Sequence, residues 1–171
     1  MGALNGVLLL VRFRPEGFAS FAATPQGFMN SLAPMLAIAA VGALLSGSVP
    51  KAALQILMGL VALLTPAVIS HFLARAWGRE AVWLRYAVAF NWCQTTVNLL
   101  MLGATGAMEF GSNGFKLVAV GILAYVLGLY WFLMRQGLGV SPTRAALGVL
   151  TTTLASGLLL FGPLIIAVSL R

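Results

Sequence analysis

The chain has 171 residues, of which 61% are hydrophobic and only 8% are charged. Soluble domains carry about 25% charged residues, so most of this surface must face lipid. The net charge of +7 comes from basic residues that are scattered between apolar runs. This distribution is typical of residues that set membrane topology and not of a nucleic-acid site. One cysteine and one histidine exclude an internal disulfide and a zinc site, so we expect no metal and no cofactor.

Residues 1–27 form the first predicted region, a cytoplasmic, interfacial and amphipathic segment. It contains Pro-x-Gly-Phe twice, and its second copy follows a predicted helix cap at Thr24-Pro25. Arginines would face lipid head groups and phenylalanines the apolar side, which is typical of an interfacial element. An alternative is that the segment packs against its own bundle. The residues concerned are Arg12, Arg14, Phe18, Phe21 and Phe28.

The region 28–171 divides at its charged residues into five uncharged runs. Each run is close to the roughly 20 residues that a helix needs to cross a bilayer. The sequence therefore predicts an all-α, polytopic membrane bundle, with Ser141-Pro142 starting its last helix. The predicted spans are 28–48, 52–74, 86–108, 117–134 and 145–170.

Basic residues predict the orientation of these spans. With five spans, one side holds seven arginines and the other holds Lys51, Lys116 and Arg171. The positive-inside rule then places the N-terminus in the cytoplasm and the C-terminus outside. The seven are Arg12, Arg14, Arg75, Arg79, Arg85, Arg135 and Arg144.

The third span carries four polar residues, Asn91, Gln94, Thr95 and Asn98, which helical spacing places on one face. Such side chains are costly in hydrocarbon, so this face should point inward. The face is either a polar passage or small-ligand site, or a set of hydrogen bonds between helices. The second alternative is favoured, because no ionisable residue joins the stripe.

Small residues recur every four positions in the fifth span, at Gly148, Thr152 and Ser156. This spacing lets helix backbones approach closely, either within the bundle or between two copies of the chain. Aromatic residues lie near the predicted cytoplasmic ends of the spans and are interpreted as interfacial anchors. They are Trp77, Trp83, Tyr86, Trp92, Tyr130 and Trp131.

The loop between the second and third spans is the most charged stretch of the chain. Its residues Arg75, Arg79 and Arg85 are predicted to form a cytoplasmic contact surface together with the aromatic and basic residues of the N-terminal segment. Three acids and one histidine leave few carriers for acid–base chemistry, so we expect no enzymatic activity.

The chain resembles the Yip family of Ypt-interacting proteins, including its bacterial five-span relatives. The resemblance rests on the phenylalanine- and proline-containing start, on "ARAWGREAVWLRYAVAFNW", and on "LGLYWFLMRQGLGVSPTRAALGVL". It implies a cytosolic N-terminus and a C-terminus on the opposite side. Eukaryotic members interact with small GTPases, but the Asp-Leu-Tyr-Gly-Pro motif is missing here, so GTPase binding is not implied.

These observations predict a non-enzymatic accessory subunit or scaffold in a bacterial inner membrane. Its partners would be membrane lipids and either a membrane protein or a second copy of the chain. The alternative is a small transporter or channel that uses the polar face of the third span. Five spans cannot divide into two equal inverted repeats, which counts against the common transporter plan.

Overall fold

The computed structural model describes residues 2–45, 47–107 and 114–169, and within these ranges the side chains outside 102–117 and 161–169. Every regular element in these ranges is helical, as the sequence predicts. The ends of the predicted third and fifth spans, at 108 and 170, lie outside the described residues. The elements are α1 Ala3–Leu10, a 3₁₀ helix Pro15–Ser20, α2 Pro25–Leu45, α3 Val49–Ala76, α4 Glu80–Ala107, α5 Gly114–Leu138 and α6 Pro142–Ser169.

Local sequence signals set where several helices begin and end. The Gly27 N–H donates to Thr24 Oγ1 at 3.0 Å, and the Arg144 N–H donates to Ser141 Oγ at 3.4 Å. Both predicted caps are therefore confirmed. Gly78 and Gly139 follow α3 and α5 with φ of 66° and 62°, a left-handed conformation that glycine adopts without strain and that stops a helix.

The five long helices form a ring in the order α2, α3, α6, α5, α4, and α3 also contacts α4. The helix α4 is the most enclosed of the five, since it additionally contacts α1 and the 3₁₀ helix. Its residues 86–91 are buried without interruption. This stretch of α4 is surrounded by protein.

Within the described part of the chain, four helices are long and apolar enough to cross a membrane, which fits an integral membrane protein. They are Pro25–Leu45, Val49–Ala76, Val118–Leu138 and Pro142–Leu160. The helix at the predicted third span, α4, has 28 residues and is not among them. Its amides, Asn91, Gln94 and Asn98, lower its apolar character. Four of the five predicted spans are thus supported, and the third stays a prediction.

The connections α3–α4 and α5–α6 lie at one end of the bundle. There the Trp131 Nε1–H donates to the Pro142 carbonyl at 3.0 Å, and the Trp83 Nε1–H donates to Ser70 Oγ at 3.1 Å. The Arg135 guanidinium lies 5.3 Å from the centre of the Trp131 ring, a cation–π contact. The arginines of these connections therefore collect at the same end.

The N-terminal hairpin, which we define as α1 plus the 3₁₀ helix, also docks at this end. Gly17 lies against the Gly6 carbonyl, so the two arms of the hairpin approach at backbone distance. At its tip Phe13 has a φ of 59°, which is unfavourable for a side chain of this size. The Phe13 ring packs edge-on against Tyr125 and Phe132, and the Tyr125 hydroxyl donates to the Val11 carbonyl at 2.6 Å. These contacts hold the strained tip in place.

The aromatic side chains of the N-terminal segment point toward the bundle. Phe21 is only 4% exposed and belongs to the hydrophobic core, so it cannot contact a partner. The Phe28 ring lies 5.8 Å from Trp83, and the Phe18 ring lies against Gly137. The interfacial placement predicted for Phe21 is therefore wrong, and its self-packing alternative describes it. The physical reason is that α1 folds back onto Phe21, whose ring lies against Gly6, and the spacing of residues in the segment does not reveal this contact.

Candidate intramembrane cavity

A cavity of about 270 Å³ lies between α3, α4, α5 and α6. It extends from Tyr86 and Met134, toward the arginine-rich end, to Asn98 and Leu160, nearer the middle of the bundle. Its walls are mainly apolar, with a few polar groups on α4 and α6. The described lining residues are Ala62, Pro66, Tyr86, Phe90, Gln94, Asn98, Tyr130, Met134, Val149, Thr152, Thr153, Ser156 and Leu160.

Two polar atoms in this wall are buried and have no hydrogen-bond partner, Gln94 Oε1 on α4 and Ser156 Oγ on α6. A buried polar atom without a partner costs about 1–3 kcal/mol. Native proteins keep few such atoms, and each calls for an explanation. The two residues line the same cavity, so both unsatisfied atoms lie beside one space.

The other polar residues of the α4 stripe have structural roles. Asn91 is 1% exposed, and its Nδ2–H donates to Ser31 Oγ of α2 at 2.9 Å, while Ser31 donates to the Phe28 carbonyl at 2.7 Å. Thr95 donates back to the Asn91 carbonyl at 2.9 Å. These contacts fit the favoured prediction, hydrogen bonding between and within helices.

Asn98 combines a contact between helices with a position in the cavity wall. Its Nδ2–H donates to Met35 Sδ of α2 at 3.2 Å, and its side chain also lines the cavity. The stripe predicted as one polar face therefore divides: Asn91 and Thr95 serve packing, Gln94 faces the cavity, and Asn98 touches both.

The small-residue stripe of α6 divides in the same way. Gly148 packs against Met134 of α5 and Trp77 at the end of α3, so there is no room for a side chain. Thr152 donates to the Gly148 carbonyl at 2.7 Å and also lines the cavity with Ser156. All three residues face the interior of the bundle, as internal packing requires. They are not on a face available to a second copy of the chain.

Two tyrosines predicted as interfacial anchors instead form part of the cavity wall. Tyr86 is 2% exposed, and both Tyr86 and Tyr130 line the cavity beside Phe90. The ring centres of Phe90 and Tyr130 lie 4.9 Å apart. The anchor interpretation is wrong for Tyr86, because α4 is enclosed where the sequence suggested a membrane boundary. No periodic signal in the sequence pointed to these tyrosines or to Pro66.

The predicted contact surface keeps its basic residues on the outside. Arg12, Arg14, Arg75, Arg79 and Arg85 are all exposed. His71 lies nearby, with Nε2 at 3.8 Å from Glu80 Oε1 and its ring 4.6 Å from Trp83. Within the described part of the chain, no group of three His, Cys, Asp or Glu side chains could hold a metal ion.

No family model matches the chain, and neither a curated protein nor a solved structure matches it significantly.

Proposed function

We propose that this chain is a non-enzymatic integral membrane protein that binds a small uncharged molecule in the cavity between α3, α4, α5 and α6. The observation that carries the proposal is the pair of buried, unpartnered atoms, Gln94 Oε1 and Ser156 Oγ, in the wall of one cavity. Among the described lining residues, none carries a formal charge. A charged guest would lose its hydration without gaining a counter-ion, so the guest is uncharged.

The proposal includes a membrane topology of five spans, with α4 crossing beside the four apolar helices. The enclosed position of α4 supports this, because protein rather than lipid surrounds its amides. The arginine-rich end would face the cytoplasm under the positive-inside rule, in a bacterial inner membrane. Membership of the Yip family stays a prediction that rests on the three quoted stretches.

Mass spectrometry of small molecules retained by the purified protein tests the binding function. The protein is extracted in native lipid discs as wild type and as Ser156→Phe, which fills the cavity. Leu158→Phe is the control, since Leu158 is 70% exposed on the same helix and its new ring would lie outside the cavity. We expect one uncharged molecule to be enriched about tenfold in wild type and the control, and to be lost in Ser156→Phe.

Equal recovery of every small molecule from all three proteins would contradict ligand binding. Gln94→Leu provides a second test that adds no bulk to the cavity, and we expect the same loss. A solute flux across liposomes that disappears in Gln94→Leu would extend the function from binding to transport, the alternative predicted from the sequence.

A second candidate function, an accessory subunit or scaffold, is favoured by the exposed arginines at one end of the bundle. Arg12, Arg14, Arg75 and Arg79 would contact anionic lipids or an acidic partner. Replacing these four by glutamine should release such a partner in co-purification and leave the cavity ligand bound. Unchanged association of all lipids and proteins would exclude the contact surface.

A further inference from the structure

The chemistry of the cavity wall indicates which uncharged molecules it accepts, an inference that rests on the proposed function. On α3, Ala62 and Pro66 both line the cavity. Proline has no backbone N–H, so the helix does not supply the usual donor four residues on to the Ala62 carbonyl. Gln94 Oε1 adds an acceptor from α4 and Ser156 Oγ adds a hydroxyl from α6. Residues of three helices that line the cavity thus carry oxygen atoms that can accept a hydrogen bond.

The remaining wall suits an apolar body. Phe90 and Tyr130 provide aromatic surface, and Val149 and Leu160 provide aliphatic surface. A molecule that fits both parts has a hydrogen-bond donor at one end and hydrocarbon at the other.

The outer surface suggests how such a molecule arrives. An apolar groove of about 450 Å³ runs along α3 and α6 on the outside of the bundle, lined by Val61, Thr65 and Leu159 among others. These residues directly adjoin Ala62, Pro66 and Leu160, which line the cavity on the inside. The groove and the cavity are therefore lined by neighbouring residues of the same two helices, α3 and α6. A molecule dissolved in the bilayer would therefore meet the cavity along this seam.

We propose that the cavity selects a membrane-soluble alcohol, whose hydroxyl donates to Gln94 Oε1 or the Ala62 carbonyl and accepts from Ser156. Its hydrocarbon part would lie against Phe90 and Tyr130. A ketone or an ether of the same size lacks the donor and would leave the acceptors unpaired.

Photolabelling with two matched probes tests this selection. One probe is an octanol that carries a diazirine, and the other is the methyl ether of the same molecule. The full-length protein in lipid nanodiscs is irradiated with each, and mass spectrometry locates the labelled residues. We expect the alcohol to label cavity residues such as Tyr130 and Met134 about tenfold more than the ether, which corresponds to about 1.4 kcal/mol.

Variants of the cavity wall test whether its residues cause the preference for the alcohol probe. Gln94→Leu and Ser156→Ala should each bring labelling by the alcohol close to that by the ether. Leu159→Ala, a change in the outer groove, should leave the ratio intact. Equal labelling of the cavity by both probes in wild type would overturn the alcohol proposal and leave ligand binding in place. If neither probe labelled the cavity and Ser156→Phe changed no label, the proposed function would be overturned as well.

Discussion

The side of α4 that faces α2 and the side that faces α6 both carry amide side chains, but these side chains have different roles. Toward α2, Asn91 donates to Ser31, which donates onward to a carbonyl, so each polar group has a partner. Toward α6, the Gln94 carbonyl oxygen is equally hidden from solvent and has no partner. An amide in a membrane bundle can thus be a packing element or a binding element. The difference is whether the neighbouring helix supplies a hydrogen-bond partner for the amide or leaves a cavity beside it.

The small residues of α6 repeat this contrast. Gly148 lets Met134 and Trp77 approach the backbone, whereas Ser156, two turns later, borders the cavity. Each stripe therefore contains residues whose neighbours fill the space and residues that border the cavity. Substitutions of tightly packed residues should lower the stability of the protein. Substitutions of residues that border the cavity should weaken ligand binding.

The largest expected effect is that of Gly148→Leu. A side chain at this position meets Met134 and Trp77, and overpacking of this kind costs typically 1–3 kcal/mol; we expect about 3 kcal/mol here. Ser156→Leu, the matched change beside the cavity, should leave the free energy of unfolding almost unchanged. Unfolding in mixed detergent micelles measures both. Equal losses would mean that the cavity is not empty in the folded protein.

The second largest effect is expected for Asn91→Leu, a loss of about 2 kcal/mol in the free energy of unfolding. It removes the donor to Ser31 at a site that is 1% exposed, and a broken buried hydrogen bond costs about 1–3 kcal/mol. Gln94→Leu removes an atom that has no partner and should be neutral or stabilising. The opposite order of the two variants would reverse the roles given to the two sides of α4.

A smaller effect should be seen in a double-mutant cycle of Asn91→Ala with Ser31→Ala. Hydrogen bonds between membrane helices contribute about 0.6 kcal/mol on average, so we expect a coupling energy of this size. The same cycle with Gln94→Ala in place of Asn91→Ala is the control and should give no coupling to Ser31. Coupling in the control would show that both amides belong to one network.

Thr95→Val should have the smallest effect. The Thr95 hydroxyl donates to the Asn91 carbonyl within α4, and that carbonyl keeps its helical partner when the hydroxyl is lost. We expect no more than about 0.5 kcal/mol of destabilisation, the lower end for one hydrogen bond. Retention of the cavity ligand by Thr95→Val would separate this residue from Gln94, its neighbour in the stripe.

Much of the secondary structure could be predicted, because it follows from local chemistry. Thr24 and Ser141 were expected to cap helices and do so, since a side-chain oxygen next to a proline at the first turn needs no tertiary partner. The position of Phe21 could not be predicted. Amphipathic spacing places it on one side of its segment, but whether lipid or protein covers that side depends on helices far along the chain.

Residue type and the spacing of charges were enough to predict that the chain is helical and apolar and where its long helices lie. These properties depend on residue type and on the spacing of charges, and both are local. Packing between helices, in contrast, encloses residues 86–91 of α4, turns Tyr86 inward and brings Gln94 and Ser156 to one cavity. Helix spacing determines which residues share a face. Whether that face packs tightly or borders a cavity depends on the side chains of the opposing helices, which here come from segments about 60 residues away.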